Sequence, residues 1–258
     1  MAKIMQILLV NDDGIYAPGL IAMQQALTQL GDVQVVAPAF EQSGVGLSIT
    51  YRHPLMVKEE QREGKHFGWA VSGSPADCVK LGVLEFCKTR PDLVVSGINH
   101  GANIGINVLY SGTVAGAIEG AFHGVTSVAV SQATDTPPNF SATAIQAVKV
   151  IKKILEVKQS SGTFWNLNFP AKKSSTSPRG VKVVSMGVRR HIDVIEKRND
   201  PSGKPYYWSG FEAIDHHQQE PDTDLRELAE GYATLTPCHF DLTQYAELDE
   251  LRNLLWEI

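Results

Sequence analysis

A chain of 258 residues with 43% hydrophobic and 20% charged residues has room for one large domain and enough apolar material to bury a core of its own. Its net charge of -5 excludes bulk attraction to a nucleic-acid duplex or an anionic membrane, though not a small positive pocket for an anionic metabolite. Three cysteines (Cys78, Cys87, Cys238) are odd in number and lack zinc-site spacing, so reduced, buried thiols in a cytoplasmic protein are the expectation. Met1–Val10 does not read as a secretory leader, and no apolar run reaches the roughly 18 residues that would span a bilayer.

Strand and helix patterns alternate from the start. Ile4–Val10 is a near-continuous apolar run ending in Asn11-Asp12-Asp13-Gly14, the pattern of a strand buried on both faces. Pro18 opens a helix with Leu20, Met23, Leu27 and Leu30 at helical spacing, closed at Gly31. Val33–Val36 is a second short strand, followed by a loop over Phe40–Gly46 that carries Ser43, and then a strand over Leu47–Tyr51. Trp69–Ser72 reads as a strand. Ser74, Pro75 and Asp77 supply the N-cap, first-turn proline and capping acid of a helix to about Phe86. Asp92–Ser96 is another buried strand, ending in Gly97-Ile98-Asn99. A glycine-rich loop leads to a helix from about Thr113, and then come a strand over Ser127–Ser131 and an amphipathic helix over Ser141–Glu156.

This rhythm predicts an α/β fold: a Rossmann-like, mostly parallel sheet flanked by helices. The remainder is less regular. Lys172–Arg179 is a polar loop, Val181–Val188 a strand, Arg226–Glu230 a helix or turn and Leu248–Trp256 a short terminal helix. Between them, Asn199–Gly203 is a turn signal beside Tyr206, Tyr207, Trp208 and Phe211, which predicts a protruding hairpin in the segment Val184–His217. Residues 1–170 are accordingly expected to form the catalytic core. Residues 171–258 would form a C-terminal extension, not an independent domain, that serves oligomerisation.

Two sites along the sheet edge carry candidate chemistry. Asp12 and Asp13 stand where ligands of open α/β sheets gather, outside a strand's carboxyl end, and adjacent carboxylates call for a cation. The alternative is a polar turn in which one Asp caps the Pro18 helix. Ser43 and Asn99 follow other strands of the same parallel sheet, so all four side chains emerge on one edge. Carboxylate, hydroxyl and amide are hard donors that suit Mg²⁺, Mn²⁺ or Ca²⁺ better than Zn²⁺. The second site is the run from Gly101 through Asn103, Gly105, Asn107, Ser111 and Gly112 to Thr113, directly before a helix. Backbone amides at a helix start, joined by the Ser111 and Thr113 hydroxyls, suit a phosphate, although the Walker lysine and Rossmann glycine spacing are missing; a glycine-rich turn with no ligand is the alternative. Metal donors and a phosphate cradle on one edge read jointly as phosphate-ester hydrolysis. The eight histidines, among them His100, His123 and the adjacent His216 and His217, offer no catalytic pairing, and there is no G-x-S-x-G nucleophile motif.

ILLVNDDGIYAPGL, VAPAFEQSGVG, VSGSPADCVKLG and VSGINHGANIGINVLYSGTVAGAIEGAFHGV, with weaker matches at NLNFP and PDTDLRELAEGYATLTP, resemble the SurE family over nearly the whole chain. The resemblance implies a metal-dependent phosphomonoesterase, a 5'-nucleotidase that hydrolyses nucleoside 5'-monophosphates. Nucleoside 3'-monophosphates and short polyphosphate are further candidate substrates. It implies Asp12, Asp13, Ser43 and Asn99 as ligands of one divalent ion per subunit, Mg²⁺ or Mn²⁺, and Asn103, Ser111, Gly112 and Thr113 as phosphate-binding residues. Asn107 departs from an Asp frequent at that position. Asp12 or Asp13 is the candidate proton acceptor, and a homodimer or homotetramer is the implied assembly. Competing readings are a non-catalytic nucleotide sensor and an aspartyl-phosphate enzyme or receiver domain. The latter lacks its D-x-D-x-T motif and the later strand-end Asp.

Overall fold

The computed structural model describes residues 4–134, 138–157, 160–171, 178–188, 192–212, 220–254 and 256. Strands β1 (Met5–Val10), β2 (Gly31–Pro38), β4 (Lys65–Val71), β5 (Leu93–His100), β6 (Thr126–Gln132) and β7 (Thr163–Phe169) form a parallel array in the order β4-β2-β1-β5-β6-β7. β3 (Val57–Arg62) is added antiparallel at one edge, while β11 (Ala233–His239), antiparallel to β7, and β8 (Val181–Val183) complete the other. The sheet therefore draws strands from both sides of residue 170.

Helices cover both faces because the central strands are apolar on both. Ile7 and Leu9 point into a cluster with Leu20 and Met23 of α1 (Pro18–Leu27) and Ala147 and Ile151 of α4 (Phe140–Glu156). Leu8 and Val10 face the other way, toward Cys78 and Val79 of α2 (Pro75–Leu81). Val114 and Ala117 of α3 (Gly112–Phe122) pack with Ala129 and Phe164. Each fully buried Leu or Ile contributes roughly 1.5–3 kcal/mol by leaving water, so this two-sided core secures the strand ends on which the site sits.

Several expectations are corrected. Leu47–Tyr51 is a loop, because its polar groups are taken by side chains and not by a strand. Asp77 accepts the Thr50 N–H at 2.9 Å, and the Ser74 hydroxyl donates to the Ser48 carbonyl at 2.6 Å. α1 stops at Leu27, and Gly31 opens β2 where it was expected to close the helix. Of Val181–Val188 only three residues are strand: the Val184 N–H still bonds to Leu235 of β11, but the Ser185 N–H turns away to the Asp222 carbonyl. The terminal helix starts earlier than expected, spanning Tyr245–Arg252. Cys78 is buried, but Cys87 and Cys238 are only partly so; all three are free. The capping box of α2 forms as expected, with Ser74 accepting from the Asp77 N–H and Asp77 from the Ser74 N–H.

The hairpin also forms. β9 (Ile192–Asn199) and β10 (Pro205–Glu212) pair antiparallel with each other and with no other strand among the described residues. The Phe211 side chain, most of Lys172–Arg179, and His216 and His217 lie outside the described residues. No described helix is long and apolar enough to cross a membrane.

Candidate active site

The carboxyl ends of β1, β5 and β6 meet the start of α3. β5 is irregular there: its register against β6 shifts between Gly97 and Asn99, a bulge of the kind that re-aims side chains beside active sites. Gly97 makes this possible. Its φ of +134° suits glycine, and a Cβ would lie 2.1 Å from the Val130 carbonyl oxygen.

Asp12 is the centre of this edge, only 4% exposed. The Thr113 hydroxyl donates to its Oδ1 at 2.5 Å, and the Gln42 N–H donates to its backbone carbonyl at 2.7 Å. Gly112 lies so close that a Cβ there would sit 2.9 Å from the Asp12 Cβ and 3.0 Å from its Oδ2. A larger residue at 112 would push the carboxylate away from the helix start. Asp13, half-buried, accepts the His100 N–H at 3.2 Å. Neither acid caps α1, whose N-cap is Ala17 with no side-chain hydrogen bond, which removes the polar-turn alternative as stated.

Burial pushes the Asp12 carboxyl up to about 6, with the Asp13 charge adding to the rise and the Thr113 hydrogen bond opposing it. Burial likewise raises Asp13, with Glu41 adding to the rise and the His100 N–H and side chain opposing it. Among the described residues, no lysine or arginine acts on either acid. Two adjacent desolvated carboxylates, with only the His100 imidazole to oppose their charge among the described residues, fit a divalent cation, and an all-oxygen donor set fits a hard one.

The structure brings the other two proposed donors to this edge through the backbone. Ser43 follows Gln42, which is bonded to Asp12, and Asn99 precedes His100, which is bonded to Asp13. Their side chains have local partners: Ser43 donates to Glu41 Oε1 at 2.7 Å, and Asn99 Nδ2 donates to the Gly101 carbonyl at 2.8 Å.

On the phosphate-loop side, the Ser111 hydroxyl accepts the Val114 N–H at 3.1 Å and so caps α3. That leaves its own proton free to donate, at the positive end of an eleven-residue helix. Asn103 donates from Nδ2 to the Ser131 hydroxyl at 2.8 Å. Gly105–Tyr110 forms a 3₁₀ segment between them. His100 is exposed and ends β5, and His123 is the C-cap of α3. Three side chains escaped the sequence reading: Asn166, Asn168 and Asp224, all buried, bond the loop backbone at Asn103 and Gly105. The signal was there in the alternation of Asn-Leu-Asn, which puts amides where a buried strand usually carries aliphatic side chains.

A doubly covered parallel sheet with paired acids and a serine-capped helix start on one edge defines a Rossmann-like α/β protein. The family model described as "Survival protein SurE" matches residues 7–193, and the chain belongs to the SurE family. It is similar to the 5'-nucleotidase SurE of Rhodopirellula baltica, 53% identical over 96% of this chain and 98% of the relative. It is also similar to that of Pelotomaculum thermopropionicum, 44% identical over 97% and 95%. Among solved structures it resembles the SurE protein from Aquifex aeolicus, with a TM-score of 0.82, 39% identity and coverage of 96% of this chain and 98% of that one.

Proposed function

We propose that the protein is a metal-dependent 5'-nucleotidase, a phosphoric monoester hydrolase that converts nucleoside 5'-monophosphates to nucleoside and phosphate. The observation that carries this reading is the hydrogen bond from Thr113 to Asp12. It joins the acid pair to the first turn of α3, so that a cation and a phosphoryl group held there would be neighbours. The likeness to relatives named 5'-nucleotidase SurE, at 53% and 44% identity over nearly full length, supports the substrate class.

In this reading Asp12, Asp13, Ser43 and Asn99 hold one divalent ion per subunit, Mg²⁺ or Mn²⁺. When bound, that ion supplies Lewis-acid screening of the phosphoryl charge and activation of water. The protein's own contribution is placement. Asn103, the Ser111 and Thr113 hydroxyls and the Gly112 amide orient the phosphoryl oxygens and stabilise charge that builds on them. Asp12 and Asp13 are the candidate proton acceptors.

The partition into a catalytic core over residues 1–170 and an oligomerising extension over 171–258 belongs to the same proposal. A homodimer or homotetramer is supported by the hairpin, where Tyr206, Tyr207 and Trp208 are 40%, 59% and 59% exposed. The deciding experiment is a phosphate-release panel: nucleoside 5'- and 3'-monophosphates and short polyphosphate, each with chelator, Mg²⁺ and Mn²⁺. Release from 5'-monophosphates that requires metal is the expected result. Metal-independent release, or none from any nucleotide, would overturn the reading.

A further inference from the structure

The backbone of residues 103–105 is held by side chains that lie outside the proposed chemistry. On one flank, Asn168 Oδ1 accepts the Asn103 N–H at 2.8 Å. The Asn103 carbonyl in turn accepts from Asn168 Nδ2 at 3.0 Å and from Asn166 Nδ2 at 2.8 Å. Asn168 also donates to Asn166 Oδ1 at 3.2 Å, so every polar side-chain atom of both residues is used. On the other flank, Asp224 Oδ2 accepts the Gly105 N–H at 2.9 Å, while its Oδ1 accepts from Gly187 at 2.9 Å and Leu225 at 2.8 Å. Asn166, Asn168 and Asp224 are all 1% exposed or less.

Sheet integrity does not call for these groups. The β7 backbone is paired on both sides, to β6 and to β11. Leu167 and Phe169 on its opposite face show the apolar filling such a strand normally takes. Burying an amide costs free energy unless its hydrogen bonds are completed, so three polar side chains here demand a use. Their common target is one stretch of loop backbone. The Asn168 amide offers Asn103 the acceptor and donor that a neighbouring strand's peptide would offer, at a point where no strand can follow. Asp224 does the corresponding work for Gly105 from the C-terminal extension.

We infer that Asn168, supported by Asn166, and Asp224 are positioning residues that clamp the phosphate loop from both sides before substrate arrives. The inference rests on the phosphate-loop reading above. Its physical content is preorganisation: donors already fixed where charge will develop need no reorganisation during the reaction. The clamp leaves Asn103 one of its two amide hydrogens, the other being given to Ser131.

The test compares Asn168→Ala and the near-isosteric Asp224→Asn with Ile151→Ala, which leaves a cavity in the core of α4 away from the loop. Steady-state kinetics with a nucleoside 5'-monophosphate, half-saturation by Mn²⁺ and hydrogen exchange at the Asn103 and Gly105 amides are measured for each. The clamp variants should lose roughly 10²-fold in kcat with KM and Mn²⁺ half-saturation little changed, and should exchange faster at 103–105. Ile151→Ala should lose thermal stability while keeping kcat below its transition. Should Asn168→Ala fail to fold, Asp224→Asn and Asn166→Ala carry the same comparison. Unaltered kcat, unaltered exchange, or an equal kcat loss in Ile151→Ala would overturn the inference. If the parent protein releases no phosphate with either metal, the nucleotidase reading fails instead, and exchange alone decides the clamp.

Discussion

At the end of β1, two carboxylates are held against the cost of burial. In the loop at Asn103–Gly105, by contrast, the backbone is met by buried amides and a carboxylate that accepts three N–H groups. The first wall is short of compensating charge, and the second has its hydrogen bonds completed. The difference matches what each is proposed to bind. A cation relieves a local excess of negative charge, so a wall that awaits one is left uncompensated. A phosphoryl group gains most from donors that are already fixed, so its wall is braced from behind.

The largest effect should come from the acid pair. Asp13→Asn keeps the shape of a half-exposed strand-end side chain but removes a charge and a ligand. Turnover should fall by more than about 10²-fold, beyond what loss of an outer-shell partner typically costs at a metal site. Chelation of the parent protein should match it, with recovery on adding Mn²⁺ or Mg²⁺. Phosphate release by the mutant at the parent rate in chelator would break the proposed role of this wall.

Next comes Ser111→Ala on the braced side. It removes a phosphate donor, for which a loss of on the order of 10²–10³ in rate is typical. It also removes the α3 N-cap, at about 1 kcal/mol. The two costs separate by method: kcat/KM reads the first, and chemical denaturation in chelator reads the second. A stability loss with unchanged kcat/KM would reduce Ser111 to a cap.

The third prediction sharpens the contrast through pH. Asp12 is raised from 3.8 to about 6 on folding, so the folded state binds the proton more tightly than the unfolded one. The associated stability is fully present below the unfolded value and is lost as pH rises through about 6. In chelator, the free energy of unfolding should therefore fall between about pH 4 and 7, by on the order of 2–3 kcal/mol. Asp12→Asn should flatten that fall, and Mn²⁺ should restore stability at the alkaline end. A metal-free protein no less stable at pH 7 than at pH 4, with Asp12→Asn showing the same profile, would contradict the burial argument.

What could be read from the sequence follows the same divide. Asp12, Asp13 and the helix start at Gly112–Thr113 were legible because apolar strands and capping residues mark their boundaries within a few residues. The elements that escaped are those whose logic is nonlocal. β3 reads as Val-Lys-Glu-Glu-Gln-Arg because an edge strand is protected by charge, and its partner β4 supplies the pairing. β7 carries buried asparagines whose only justification is a loop some sixty residues earlier. β11 contains Pro237, which usually argues against an interior strand. Leu47–Tyr51 looked like a strand since its alternation is real, but Ser74 and Asp77 take its polar groups first.

The smallest effect on the subunit itself is expected at the hairpin, which shares no strand pairing with the large sheet among the described residues. Tyr206 and Trp208 project from the same face of β10, opposite Arg198 and Glu196, and Tyr207 from the other. Exposed aromatic side chains on both faces of a two-stranded ribbon cannot all be covered by one neighbouring surface of the same chain. They suit a ribbon gripped from two sides, as exchange between identical subunits would provide. Replacing Tyr206 and Trp208 with serine should shift folding stability in chelator by no more than about 0.5 kcal/mol each, as is usual for exposed sites. The mass by light scattering should fall toward that of the single chain. Deleting Asn199–Gly210 should have the same effect on mass by a different route, removing the turn and most of β10. Assembly unaltered in both would show that the subunits meet elsewhere, and the hairpin would then be a flap on its own subunit. Loss of assembly with kcat retained would show that one subunit completes its own site and that the hairpin serves assembly alone.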